Sequence, residues 1–177
     1  EMSLEELLGV DVVTASNMRE SQSRAPGVVI RLSREDLEAR GYHELLELFD
    51  DLPGMDVVRP WGDNYLKVYW RGYRTDVTHP FLVMIDGMVL NSLWSTDASI
   101  AAAMPLSEVD HIEIVYGPVS AVYGANAFMG VVNVFTIAGM DGAPRARLRI
   151  TGGSYDPSRV DRRTIDASLA GRVTSGA

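Results

Sequence analysis

Apolar residues recur at two different spacings along the chain, and the changes of spacing mark its elements. Val28-Val-Ile-Arg31 predicts a strand. Ser33-Arg-Glu-Asp36 then places a hydroxyl at a helix entrance and a carboxylate three residues on, the reciprocal capping pattern, and Gly41 closes that helix. Leu45, Leu46, Leu48 and Phe49 follow at helical spacing, and Leu52-Pro53-Gly54 stops the second helix. From there the pattern predicts strands at Met55–Val58, Tyr65–Trp70, Phe81–Ile85, Met88–Leu90, Val109–Tyr116 and Gly130–Thr136. Asp86-Gly87, between two of these, is a strong two-residue hairpin signal. Residues 91–104 read as a loop passing into a weak, alanine-rich helix, and Ser120–Tyr123 as a helical turn before Gly124. Asn133 interrupts an apolar strand and needs a hydrogen-bond partner if it is buried.

The two ends of the chain differ from this middle. Ser3–Leu8 predicts a single helical turn, and Val10-Asp-Val-Val-Thr-Ala15 a short β-prone run. Residues 16–27 are mostly polar and end in Ala25-Pro26-Gly27, the composition of a linker. One short strand does not hold itself in a fold, so this stretch is either docked or mobile. At the other end, Ala146, Leu148 and Ile150 alternate with Arg145, Arg147 and Arg149, and Ile165, Ala167 and Leu169 alternate with Asp166, Ser168 and Ala170. Such a hairpin fits a half-buried soluble sheet or two strands of a transmembrane barrel. A barrel needs at least about 8 strands, so on the second reading the chain is a piece of a longer protein.

Composition narrows the choices. With 177 residues, 46% hydrophobic and 23% charged, the chain is one folded domain or one domain with an appendage. The net charge of −8 argues against a nucleic-acid backbone as partner. That acidity belongs to the first 56 residues, which hold thirteen of the 24 acids and five of the 16 bases. With Cys 0, disulfides and thiolate sites are excluded. There is no apolar run of about 18 residues for a membrane helix, and no secretory signal is visible. The start at Glu1 is compatible with a processed N-terminus.

Catalytic chemistry finds little to stand on. His43, His79 and His111 are far apart and lack metal-ligand spacing. Gly117, Gly124 and Gly130 are too widely spaced for a dinucleotide fingerprint, and no nucleophile elbow occurs. Trp61, Trp70 and Trp94 lie on different elements, where a core role is the default.

Residues 52–136, taken in order, resemble the plug domain of TonB-dependent outer-membrane transporters. The resemblance rests on Leu52-Pro53-Gly54-Met55 with Val57, Arg71-Gly72, Val83-Met-Ile-Asp86-Gly87 and Asn91. It continues through Val109-Asp-His-Ile112-Glu113-Ile114, Gly117-Pro118, Ser120-Ala121-Val-Tyr123-Gly124, Asn126-Ala127 and Gly130-Val-Val-Asn133-Val. No one piece is decisive, but their order and spacing together are specific, and the likeness extends upstream through the helical segment to residue 28.

The resemblance implies an α+β fold, a small mixed β-sheet with short helices, followed by a β-hairpin from the start of a transmembrane barrel. It divides the chain into a tether at 1–27, a plug at 28–138 and first barrel strands at 139–177. It implies active uptake of a scarce nutrient such as an iron chelate, with no enzymatic step, no cofactor and no resident metal. Val10, Asp11, Val12, Val13, Thr14 and Ala15 resemble the TonB box, the segment that pairs as an added strand with the periplasmic TonB protein. In its commonest form a threonine stands where Asp11 does. By position, Trp61, Asp63, Asn64, Asn91 and Trp94 are expected on ligand-facing loops. Arg71 and Tyr116 are expected to contact the barrel. Family members usually carry arginine at the second position, so Tyr116 offers a hydroxyl in place of a charge. The further partners implied are the protein's own barrel and the outer membrane. The alternative is a soluble binding or signalling module that reuses the plug fold without a barrel.

Overall fold

The computed structural model describes residues 11–14, 20–21, 27–58, 67–73, 81–98, 104–124, 126–137, 145–153 and 162–170. Two short strands, β1 (Asp11–Val12) and β2 (Glu20–Ser21), pair with each other. Strand β3 (Val28–Ser33) runs into helix α1 (Arg34–Arg40), which is followed by α2 (Leu45–Asp51). The antiparallel pair β4 (Met55–Val58) and β5 (Lys67–Trp70) comes next, then the hairpin β6 (Phe81–Ile85) and β7 (Met88–Val89). Strand β8 (Val109–Tyr116), the one-turn helix α3 (Ser120–Tyr123) and β9 (Gly130–Thr136) complete the compact part. The hairpin β10 (Arg145–Gly153) and β11 (Arg162–Ala170) ends the described chain.

Five strands form the central sheet in the order β3-β8-β9-β6-β7. It is mixed: β6 and β9 run parallel and the other neighbours antiparallel. The parallel pair obliges the chain to cross over between β6 and β9, and β8 is laid down on that crossover. Both faces of the sheet are covered, which is why Phe81–Met84 and Ile112–Tyr116 are nearly continuous apolar runs and not alternating ones.

On one face, Leu32, Phe81, Val83, Ile112, Ile114, Val132 and Val134 meet Leu37 of α1, Leu45, Leu48 and Phe49 of α2, and Met55, Val68 and Trp70 of the β4–β5 pair. Aromatic edges and faces link these layers, with Trp70 5.0 Å from Phe81 and 4.8 Å from Tyr116, ring centre to ring centre. On the other face, Val29, Leu82, Met84, Val115 and Val131 are covered by Val119, Ala127 and Val12 of the N-terminal segment.

The local expectations hold where they fall on described residues. Ser33 caps α1: its hydroxyl accepts from Asp36 N at 3.2 Å while Asp36 Oδ2 accepts from Ser33 N at 2.9 Å. Caps of this kind contribute about 1 kcal/mol. The Asp86-Gly87 turn joins β6 and β7 as expected, with Asp86 also accepting from Thr136 N and Oγ1 at 2.8 and 2.7 Å. The helical turn at residues 3–8 and the strand start at 65–66 lie outside the described residues. So does the stretch 99–103, where most of the alanine-rich helix is expected, whereas 91–98 form turns.

Candidate functional site

The N-terminal segment does not hang free. Val12 is fully buried in the second core cluster, and the main chain beyond it is held by one side chain. Val13 N donates to both Glu113 oxygens, at 3.1 and 2.9 Å, and Thr14 N donates to Oε2 at 2.7 Å. Glu113 is 0% exposed and pairs across β8–β9 with Asn133. Asn133 Nδ2 in turn donates to Thr14 Oγ1 at 3.2 Å, and its Oδ1 accepts from Gly87 N at 3.3 Å. Two polar side chains in an apolar sheet face would be costly alone, and the segment at 13–14 supplies their partners. His111 stands beside them, stacked on Phe135 with Nδ1 2.8 Å from Asp110 Oδ2 and Nε2 3.6 Å from Glu113 Oε1.

Burial pushes the Glu113 carboxyl up, but hydrogen bonding from His111, Thr14 and Val13 outweighs burial and holds it below the ordinary carboxylate range. A carboxyl depressed by docking contributes fully above its ordinary value and loses that contribution as pH falls through the lowered one. The groups around it are His111 and Asp110 on its own strand, Arg31 across β3 and Tyr123 of α3. Acidification is therefore expected to lower the protection of the Val13 and Thr14 amides, taken relative to the intrinsic exchange rate at each pH, before the protection of Ile114 and Val132 changes. Protection falling at all four together would instead mean that the segment has no separate acid-sensitive attachment.

A second cluster lies at the loop after β7. Leu93 is fully exposed and Trp94 is 96% exposed. They are held out by a tight turn in which Ser92 N donates to Asp97 O at 2.7 Å and Thr96 N to Ser92 O at 2.8 Å. Trp94 is thus no core residue, unlike Trp70, which is fully buried. Asn91, expected on the same ligand-facing loop, points inward instead: it is 7% exposed. Its Oδ1 accepts from Val83 N at 2.8 Å, and its Nδ2 donates to Phe81 O at 3.0 Å and Thr96 O at 2.8 Å. The side-chain amide continues the β7 ladder where the strand itself has ended, so Asn91 positions the loop.

Arg71 and Tyr116, distant in sequence, are brought together. The Arg71 guanidinium lies 5.5 Å from the centre of the Tyr116 ring, and Arg71 N donates to Gly54 O at 2.6 Å with φ 51. Burial pushes the Tyr116 hydroxyl up to about 12, against the opposing charge of Arg71, so it is a neutral donor. That hydroxyl is buried with no partner among the described residues. Val10, Ala15, Trp61, Asp63 and Asn64 lie outside the described residues.

Sequence reasoning found Asn133 as a group in need of a partner but did not connect Glu113 to the N-terminal segment. The signal was present: a carboxylate between Ile112 and Ile114 in a strand apolar on both faces. Among the described residues no cluster of His, Cys, Asp and Glu is suited to a metal ion.

Comparison with known proteins agrees with this architecture. Residues 21–131 match the family model described as the TonB-dependent receptor plug domain. The chain is 30% identical over 131 residues to an iron-regulated outer membrane virulence protein of Vibrio cholerae, covering 71% of this chain and 19% of that protein. Its fold is similar to that of the ferripyoverdine receptor of Pseudomonas aeruginosa (TM-score 0.71, 15% identity, 94% of this chain and 20% of that one). It is also similar to that of the ferric yersiniabactin uptake receptor of Yersinia pestis (TM-score 0.56, 22% identity, 73% and 20%). The chain thus spans about a fifth of the length of the relatives it matches. With the family model covering most of the compact part and the mixed sheet of the receptors reproduced, this chain belongs to the TonB-dependent receptor plug domain family.

Proposed function

We propose that the chain is the plug of a TonB-dependent outer-membrane transporter that takes up an iron chelate, with residues 10–15 as the segment TonB grips. In this reading residues 1–27 are the tether, 28–138 the plug inside the lumen and 139–177 the first strands of its own barrel. The observation that carries it is the state of residues 11–14. They form a short strand and its continuation outside the central sheet, attached to that sheet by side-chain bonds that can be broken without dismantling it. A pulling partner needs such a handle, and an extended main chain is what strand addition recognises. The iron-chelate ligand is proposed from the relatives, whose names place them among iron-regulated and ferric-chelate receptors.

Two further features support the reading. In the β10–β11 hairpin the register sets Ala146, Leu148 and Ile150 opposite Leu169, Ala167 and Ile165, while Arg149 faces Asp166. The apolar positions of the two strands are thus in phase, and Ile150 is 72% exposed, as a lipid-facing position requires. At the plug's outer end, Leu93 and Trp94 offer an apolar, aromatic tip to a ligand, while the Arg71–Tyr116 pair, whose hydroxyl has no partner among the described residues, suits the barrel wall.

The test is direct. A peptide spanning residues 8–17 is expected to bind the C-terminal domain of TonB. Val13→Pro in that peptide is expected to weaken binding at least about tenfold, because proline removes a main-chain donor from the added strand. Calorimetric titration showing equal binding by the two peptides would remove strand addition as the mode of capture.

A further inference from the structure

We infer that Thr96 is the strained hinge of a two-state loop, and that the conformation in the structure is the one that presents Leu93 and Trp94. The inference rests on the reading of this loop as ligand-facing and names what regulates that site. The hinge itself is a property of residues 91–97 and is tested without a ligand.

Three costs meet in this loop. Thr96 has φ 54, in the left-handed region. For a β-branched residue that is an outlier, and it weighs against the conformation by roughly fivefold to thirtyfold. Arg71 and Asp86 also have positive φ, but each is followed by a glycine in a tight turn and neither is β-branched. The Thr96 hydroxyl is buried with no partner among the described residues, which adds the penalty of a desolvated polar group. The loop also leaves Leu93 and Trp94 almost wholly in water, where apolar surface is unfavourable.

Hydrogen bonds offset these costs, and they show where the loop gives way. Thr96 N donates to Ser92 O at 2.8 Å and Ser92 N to Asp97 O at 2.7 Å, closing a turn across the strained residue. Ser92 Oγ accepts from Trp94 N and Ser95 N, both at 3.3 Å. Thr96 O accepts from Asn91 Nδ2 at 2.8 Å, while Asn91 keeps its other bonds, to Val83 N and Phe81 O on β6. Rotating Thr96 to negative φ opens the turn and breaks the Asn91–Thr96 bond, but leaves the bonds to β6 in place. The relaxed loop has no backbone strain, its Thr96 hydroxyl reaches water, and Leu93 and Trp94 can lie against the plug. A surrounding network that holds strain at a binding loop makes the loop bistable. A ligand that grips Trp94 selects the strained state, and its apparent affinity scales with that state's population.

The experiment compares the full chain carrying Trp61→Phe with the same chain carrying Thr96→Gly or Thr96→Pro in addition. Trp70 is 0% exposed, so acrylamide quenching of tryptophan then reports Trp94. NMR relaxation dispersion at the amides of 92–97 reads the second state, with Val83 on β6 as control. The parent is expected to show dispersion at 92–97 and none at Val83. Glycine takes the left-handed backbone without strain and is expected to cut the relaxed population at least about fivefold, and the dispersion with it. Proline fixes φ at about −65° and has no N–H for Ser92 O, so it is expected to lower the quenching constant of Trp94 at least about twofold. A parent without dispersion, a glycine variant with as much as the parent, or a proline variant whose Trp94 is as accessible as before each overturns the hinge. Dispersion that reaches Val83 at the same rate does so too, because the motion is then one of the sheet edge. Should the proline variant fail to fold, the glycine variant decides. None of these readouts uses a ligand: a chain that binds no iron chelate removes the transport reading, and the hinge is still judged by dispersion and quenching.

Discussion

Alanine at position 130 is expected to destabilise the protein by at least about 3 kcal/mol, the upper end of what overpacking a core usually costs. Gly130 is the first residue of β9 and sits between two strands, opposite Tyr116 on β8 and Phe81 on β6. A Cβ there would lie 2.2 Å from Val115 O and 2.5 and 2.9 Å from two ring carbons of Trp70. Neither neighbour has room to give. Val115 O is main chain in the middle of the sheet, and the Trp70 ring is wedged edge-on between Phe81 and Tyr116. The close approach of the indole to bare backbone is what seats the β4–β5 pair on the sheet, so the substitution is expected to loosen Trp70 and the Arg71–Tyr116 contact with it. Equilibrium urea unfolding measures the loss. Gly41→Ala is the control: nothing lies within 4 Å of its Cβ position, and only its left-handed backbone (φ 76) resists the change, at about 1–2 kcal/mol. A Gly130→Ala protein no less stable than that control would show that the contact with Trp70 does not hold the two layers together.

Asn91→Ala is the second substitution expected to act strongly, again by about 3 kcal/mol, because it removes three hydrogen bonds to main-chain groups at once. The side-chain amide of Asn91 serves Val83 N, Phe81 O and Thr96 O together. Alanine leaves Val83 N without the pairing that β7 would have provided had it run further. The loop 91–97 then loses its attachment to β6, and the rigid presentation of Leu93 and Trp94 goes with it. Two measurements separate the effects. Unfolding reports the stability loss, and the mobility of Trp94, read by its fluorescence anisotropy, reports the loop. A variant that loses stability while Trp94 stays as immobile as before would mean that the turn at Ser92 holds the loop by itself.

These two positions show opposite relations between sequence and structure. Asn91 was expected to face a ligand because it lies on a loop with Trp94. The structure turns it inward, and the turn of chain around Ser92 leaves only Leu93 and Trp94 outside. Linear position marked the stretch as a loop but did not say which of its side chains points out. Gly130 was legible as part of a motif, but the reason for a glycine there is the Trp70 ring, some sixty residues upstream on a different pair of strands. The same holds for Arg71 and Tyr116. The resemblance assigned each of them to a contact with the barrel and did not pair them; that they meet, a guanidinium on a ring and a hydroxyl kept neutral by burial, depends on how β5 and β8 pack.

What the sequence by itself determined was local. The Ser33–Asp36 cap, the stop at Leu52-Pro53-Gly54, the Asp86-Gly87 hairpin and the alternation in β10 and β11 are set by residues a few positions apart, and their physics is complete at that range. The tertiary structure decided everything that needed distant partners: the parallel pairing of β6 with β9, the inward turn of Asn91, and above all the fate of residues 11–14. A β-prone segment on a polar linker carries no record of whether it is loose or docked. It is docked because folding brings a carboxylate from residue 113 and an amide from residue 133 side by side in an apolar face, where neither can remain unpaired, and the nearest donors and acceptor belong to Val13 and Thr14.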